Sequence, residues 1–210
     1  PFRALAEDER SRPLLEKLRR RLVSLTLPYP ARFRAVAGMA RLARLLGGRM
    51  LPKPMRPMLD LLPPSFPPQK KLEERYEAQG NRRATVALLT GCAQQVLDPD
   101  INVATIEVLT RCGVEVLVPG GQTCCGALSW HVGDHRTAKE FARRNLEAFP
   151  EVDALITNAA GCGSGVQEYP LILRGTDDEE RAAELAARAV DVSVFLERLG
   201  VPGEIPDQGE

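Results

Sequence analysis

The chain has 210 residues, 44% hydrophobic and 27% charged, and its 28 Lys and Arg balance 28 Asp and Glu. This length buries one α/β core of about 120 residues plus a lead-in; no apolar run approaches the ~20 residues of a membrane-spanning helix, and an odd count of five cysteines without a signal peptide argues against a secreted disulfide framework. The zero charge is a cancellation, since residues 1–83 hold 19 Lys and Arg against 8 Asp and Glu while residues 84–210 hold 9 against 20, and a basic excess neutralised within one chain is a poor fit to nucleic-acid binding.

In chain order, residues 1–83 read as a helical, proline-rich basic segment. Helical spacing covers 13–27 and 31–46, and the prolines of 51–57 and 62–68 break regular structure into an extended strap. Residues 84–202 read as a second domain and 203–210 as a hydrophilic tail. Within that domain the runs 84–90, 114–118 and 152–157 are short, rich in Val, Ile, Leu and Thr, and largely continuous, as strands covered on both faces of a parallel sheet are. Asp98 and Pro99 open a helix whose apolar positions Ile101, Ala104, Val108 and Leu109 lead to a stop at Gly113. Asp134 opens another, with Ala138, Phe141, Ala142 and Leu146 on one side and Pro150 beyond its end. A third starts at Thr176 and Asp177 with acids in its first turn, as the helix dipole prefers, and a last amphipathic turn spans 192–199. The expected fold class is α/β: a small three-layer unit with a parallel sheet of three to four strands, preceded by the helical, proline-rich segment.

The cysteines fall on this scheme in a telling way. Parallel strands put all their carboxyl ends at one sheet edge, where open α/β folds place ligands. Cys92, Cys124, Cys125 and Cys162 each lie just past such an end, so three loops deliver sulfur to one place. Cys112 lies at a helix tail near the opposite edge and reads as a structural thiol that packs as a small hydrophobe. Converging thiols admit disulfides, zinc, a redox dithiol or an iron–sulfur cluster. No Cys-x-x-Cys is present for a dithiol, and adjacent cysteines followed by glycine suit the corners of a zinc tetrahedron poorly, although zinc stays open as the alternative. Soft thiolates from several loops fit an iron–sulfur cluster best. His131 is a candidate ligand or hydrogen-bond donor to cluster sulfur, though such a histidine more often packs a loop. His135 is expected to face solvent, Trp130 to be a packed aromatic rather than an electron relay, and Gly161, Gly163 and Gly165 to give room for close backbone approach.

The phrases Leu89-Thr-Gly-Cys-Ala-Gln-Gln95, Pro99-Asp-Ile-Asn-Val-Ala-Thr105, Cys124-Cys-Gly-Ala-Leu128 with His131, and Ala160-Gly-Cys-Gly163 with Glu168-Tyr169 resemble the cysteine-rich CCG domain. That domain occurs in heterodisulfide reductase, anaerobic glycerol-3-phosphate dehydrogenase, lactate-utilisation proteins and, in the phrases quoted, above all glycolate oxidase iron–sulfur subunits. The resemblance covers roughly residues 15–200. It implies an electron-transfer subunit that passes electrons from a flavin-containing partner, which oxidises a 2-hydroxy acid such as glycolate, toward quinone. It also implies a cluster of the 4Fe–4S type on Cys92, Cys124, Cys125 and Cys162, and neither a substrate nor a flavin site on this chain.

Three departures qualify the resemblance. No Cys-x-x-Cys-x-x-Cys ferredoxin module is present, one CCG copy stands where the family carries two, and the closing Cys-x-x-Cys is replaced by Cys162-Gly-Ser-Gly165. A chain beginning at Pro1 is accordingly expected to be part of a longer protein. The missing ligand keeps a second reading alive, a cluster-free or zinc-bound scaffold that assembles the complex; a thiol enzyme of the heterodisulfide reductase kind would need the fuller cysteine set. The basic helix at 31–46 has three readings: packing within the subunit, which is favoured, docking of the flavin subunit, or lying on an anionic membrane surface. The expected location is cytoplasmic or peripheral at the inner membrane.

Overall fold

The structure, a computed structural model, describes residues 13–45 and 65–200. The elements run α1 (Leu14–Thr26), α2 (Pro30–Leu45), β1 (Arg75–Tyr76), β2 (Ala84–Leu88), α3 (Gln94–Leu97), α4 (Asp100–Arg111), β3 (Val114–Leu117), α5 (Ala127–His131), α6 (His135–Ala148), β4 (Ala154–Thr157), α7 (Ala160–Gln167), α8 (Tyr169–Ile172), α9 (Glu179–Arg188), β5 (Ala189–Asp191) and α10 (Val192–Leu199). The three apolar runs form the centre of one sheet of order β1-β3-β2-β4-β5. Val86 stands between Val116 and Ala154, and every pairing is parallel except that of β1 with β3. The fold is the α/β class expected, with five strands among the described residues. The two additions are edge strands of two and three residues, too short to leave a pattern in the sequence, and β1 draws on the stretch ahead of residue 84.

Alternation along the strands divides the core into two layers, because successive side chains leave a strand on opposite faces. Ala87, Leu89 and Leu155 pack under α6, α7, α8 and α9 through Phe141, Val166, Tyr169 and Leu185. Val86, Leu88, Val114, Val116 and Ile156 pack under α4 and α10 through Ile106, Leu109, Phe195 and Leu199. Each fully buried Leu or Ile contributes about 1.5–3 kcal/mol by leaving water.

A charged knot fastens β1 to this sheet. Glu115 of β3 is buried and accepts hydrogen bonds from Arg82 and from Thr85 Oγ1, each at 3.0 Å, with Arg75 of β1 on its other oxygen. Burial pushes its carboxyl up, but the bonds from Thr85 and Arg82 and the charges of Arg75 and Arg82 outweigh that, leaving it below the ordinary carboxylate range.

The two predicted N-terminal helices form, and α2 packs on the acidic domain rather than standing apart. Ala37 is buried, the Tyr29 ring lies 5.7 Å from that of Phe141 on α6, and the Arg32 guanidinium sits 4.2 Å above Tyr29. Arg34 donates to the Pro67 carbonyl at 3.0 Å, tying α2 to residues 65–68, which have no regular structure. The proline-rich stretch 51–57 and residues 62–64 lie outside the described residues. On α1 the side chains of Leu14, Leu18, Leu22 and Leu25 recur at helical spacing and are 49% or more exposed.

One helix face differs from expectation. On α4, Ile101 and Val108 are exposed, and the buried face is Asn102, Thr105, Ile106, Leu109 and Thr110. The polar end of that face turns inward because it holds the loops of the cysteine edge.

Candidate metal centre

The sheet order puts β3 on one side of β2 and β4 on the other, so the loops leaving β2 and β4 run to opposite faces and open a crevice between them. Cys92 follows β2, Cys124 and Cys125 end the loop after β3, and Cys162 lies in the first turn of α7 after β4. Two glycines make the approach feasible. Gly126 has φ +80°, which lets the chain turn directly from Cys125 into α5. Gly165 lets α7 touch α5, since a Cβ there would stand 2.6 Å from the Ala127 Cβ.

The four thiols form a connected chain. The Cys124 thiol donates to Cys92 Sγ at 3.4 Å, and the Gly126 N–H donates to Cys124 Sγ at 3.5 Å. Cys125 is the thiol of the set whose anion is most favoured. Hydrogen bonds from Cys124 and then Cys162, with the Ala127 N–H, outweigh burial and hold it at about 3. Cys124 and Cys162 are pushed up, each chiefly by its bond to Cys125, and Cys92 is lowered, chiefly by its bond to Cys124. Iron–sulfur clusters are held by cysteine thiolates, and this set gathers four cysteine sulfurs of which Cys125 already favours the anion. Among the described residues no three Cys, His, Asp or Glu side chains converge on a point that holds a single ion.

Side-chain amides lace the three loops together, and sequence reasoning missed them. Asn145 of α6, fully buried, accepts from the Thr123 N–H at 2.8 Å and donates to the Cys124 carbonyl at 3.1 Å and the Tyr169 hydroxyl at 2.8 Å. Gln122 accepts from the Thr90 N–H at 2.9 Å and donates to the Leu88 carbonyl at 3.1 Å. Asn102 donates to the Thr90 carbonyl at 2.8 Å, and Asn158, which accepts from Gln94 at 2.8 Å, donates to Asn102 and Thr105 at 3.0 Å each. Asn145, Gln122 and Asn102 satisfy backbone that no ladder reaches, and Asn158 ties Gln94 to α4. The signal was present: Asn145 follows Phe141 and Ala142 by the spacing of one helix face, a polar residue on an apolar stripe.

The flanking residues sort clearly. Cys112 is buried among Val86, Ile106, Leu109 and Val114 in the other core layer, away from the four. The exposed His131 has its Nε2 3.9 Å from Glu168 Oε2. His135, expected to face solvent, is half-buried with its ring edge-on to Trp130 at 4.5 Å, because the α5–α6 turn folds the two rings together; Trp130 packs on the core. Gly163 and Gly165 do provide close approach, whereas Gly161 faces open space. A cavity of about 220 Å³ opens beside Cys92 and Cys124, roofed by the Pro28–Pro30 turn and walled by Gln122 and Arg144. The lead-in thus lies over Cys92 and Cys124, a contact the sequence did not suggest. A larger cleft of about 940 Å³ along β5 has no cysteine in its lining, so size does not locate the chemistry.

A three-layer α/β domain with thiols gathered above its central parallel strands defines a class, and residues 86–167 match the family described as CCG, cysteine-rich domain. The particular relatives are glycolate- and lactate-metabolising proteins by name. The chain is 36% identical over 157 residues to the probable glycolate oxidase iron-sulfur subunit of Bacillus subtilis, covering 72% of this chain and 35% of that protein. It is 31% identical over 213 residues to the glycolate oxidase iron-sulfur subunit of Escherichia coli, covering 96% and 49%, and 35% identical over 112 residues to lactate utilization protein A of Geobacillus thermodenitrificans, covering 53% and 47%. The chain spans about half or less of the length of these curated relatives. No solved structure matches it.

Proposed function

We propose that this chain is part of the iron–sulfur subunit of a 2-hydroxy-acid oxidoreductase of the glycolate oxidase type, relaying electrons from a flavin-containing partner subunit toward quinone. The convergence of four thiols from three loops at one sheet edge carries the reading, and the names of the relatives support it. Cys92, Cys124, Cys125 and Cys162 would hold the cluster, read as the 4Fe–4S type that the sequence resemblance implies. A cluster bound there supplies one-electron transfer at a potential that burial and hydrogen bonds to sulfur set. The chain's own residues prepare for it: Cys125 favours the thiolate, Asn145 and Gln122 fix the loops, and the α1–α2 turn lines the cavity beside Cys92 and Cys124. Metal binding replaces the protons that the thiols share.

Mixing the iron-loaded chain with the flavin-containing partner and glycolate, without oxygen, is expected to bleach its visible absorbance. A chain that a chemical reductant bleaches but partner and hydroxy acid do not would sink the relay. The scaffold alternative draws on Gly165, which stands where a closing Cys-x-x-Cys would put its second cysteine and is packed on Ala127.

We place the protein on the cytoplasmic side, peripheral at the inner membrane surface. Among the described residues no helix is long and apolar enough to cross a membrane. In residues 13–45 eight Lys and Arg face one Glu, and α1 exposes its leucine stripe in that basic setting, the pattern of an interfacial helix. Cosedimentation with anionic phospholipid vesicles, weakened by Leu18→Glu with Leu22→Glu, is the expected result; sedimentation indifferent to both changes would remove the membrane from the proposal.

A further inference from the structure

Tyr169 opens α8 fully buried, in the core layer that contains Cys124 and Cys125. Its hydroxyl oxygen accepts from Asn145 Nδ2 at 2.8 Å, and the same nitrogen donates to the Cys124 carbonyl at 3.1 Å. The hydroxyl is therefore held beside the cysteine loop. An amide nitrogen donates only, so the bond with Asn145 uses an oxygen lone pair and leaves the tyrosine's own proton free. Among the described residues no hydrogen bond takes up that proton. Buried donors are rarely left in this state, since desolvation without a partner is costly. The hydroxyl lies in the core layer that contains Cys124 and Cys125, with Cys92 and Cys162 packed against it, so sulfur bound at the centre is the acceptor this layer would bring to the free proton. A phenylalanine would fill the same apolar volume, and packing alone does not account for the hydroxyl or for the buried Asn145 that orients it.

We infer that Tyr169 donates its O–H to sulfur at the four-cysteine centre, with Asn145 as the residue that positions it. When the centre holds an iron–sulfur cluster, the bond stabilises the reduced, more negative form over the oxidised one and raises the reduction potential. This rests on the proposed function and adds a residue that sets how readily the centre accepts an electron.

The test is a redox titration of the reconstituted full chain, followed in the visible, with iron and acid-labile sulfide counted in the same samples. Tyr169→Phe is expected to load as the wild type does and to show a lower midpoint potential. Site-specific 3-fluorotyrosine at position 169, a stronger donor of the same shape, is expected to shift it upward. Ile172→Val, a buried change on the same short helix, is expected to leave it in place. An unchanged potential in a fully loaded Tyr169→Phe chain overturns the inference. If that variant loses iron, the fluorotyrosine chain decides, and an unmoved potential there overturns it equally. A wild-type chain that takes up no iron or sulfide overturns the proposed function and this inference together, an outcome distinct from loading without a shift.

Discussion

Cys112 and Cys124 are each 5% exposed, yet they sit in opposite surroundings. Cys112 ends α4 at the amino edge of the sheet, where Val86, Ile106, Leu109 and Val114 enclose it and its thiol packs as a small apolar group. Cys124 lies at the carboxyl edge, its thiol on Cys92, its carbonyl on Asn145, and a thiolate next to it in sequence. Burial does not distinguish a structural thiol from a candidate ligand. Other thiols, and buried amides committed to holding loops, do.

The widest separation between the two edges is expected in metal content. Serine at Cys124 or Cys125 should abolish iron binding, while Cys112→Ala should leave it intact and cost about 1 kcal/mol of stability from the lost side-chain volume. Iron loss from Cys112→Ala equal to that from the serine variants would collapse the contrast. The next effect concerns how the carboxyl edge is held. Asn145→Ala strips partners from the Thr123 N–H, the Cys124 carbonyl and the Tyr169 hydroxyl. At roughly 1–3 kcal/mol per buried group left short, chemical denaturation should register a loss of about 3 kcal/mol or more; a loss well under 1 kcal/mol would mean the loop supports itself. Gly165→Ala should cost about 1–3 kcal/mol by overpacking against Ala127, and Gly165→Cys should fail to add bound iron. Extra iron in that variant would show that α7 has room for the absent ligand.

The smallest effect belongs to the amino edge. Glu115 has a folded-state pKa below its ordinary 4.5, so its contribution is fully present above about pH 4.5 and fades as pH falls through the folded value. Denaturation curves at descending pH should therefore show Glu115→Gln less stable than wild type at pH 7, with the gap closing in acid. A gap that widened in acid would reverse the assigned sign.

The sequence makes this contrast legible only in part. Strand composition and helix stops placed β2, β3 and β4, and placing cysteines after strands separated the four from Cys112. The edge strands β1 and β5 left no pattern because two or three residues complete no alternation. The inward face of α4 was misread because apolar residues were assigned to it, whereas Asn102 and Thr105 turn inward to hold the loops after β2 and β4. No local signal gives the Pro28–Pro30 roof over Cys92, since that contact joins residues more than sixty positions apart.

The central claim is that the four converged thiols hold an iron–sulfur cluster. Its most direct test is the iron, zinc and acid-labile sulfide content of the chain reconstituted without oxygen. The account predicts iron and sulfide in comparable amounts with a broad visible absorbance that bleaches on reduction; zinc alone, or a folded chain with no metal, would contradict it.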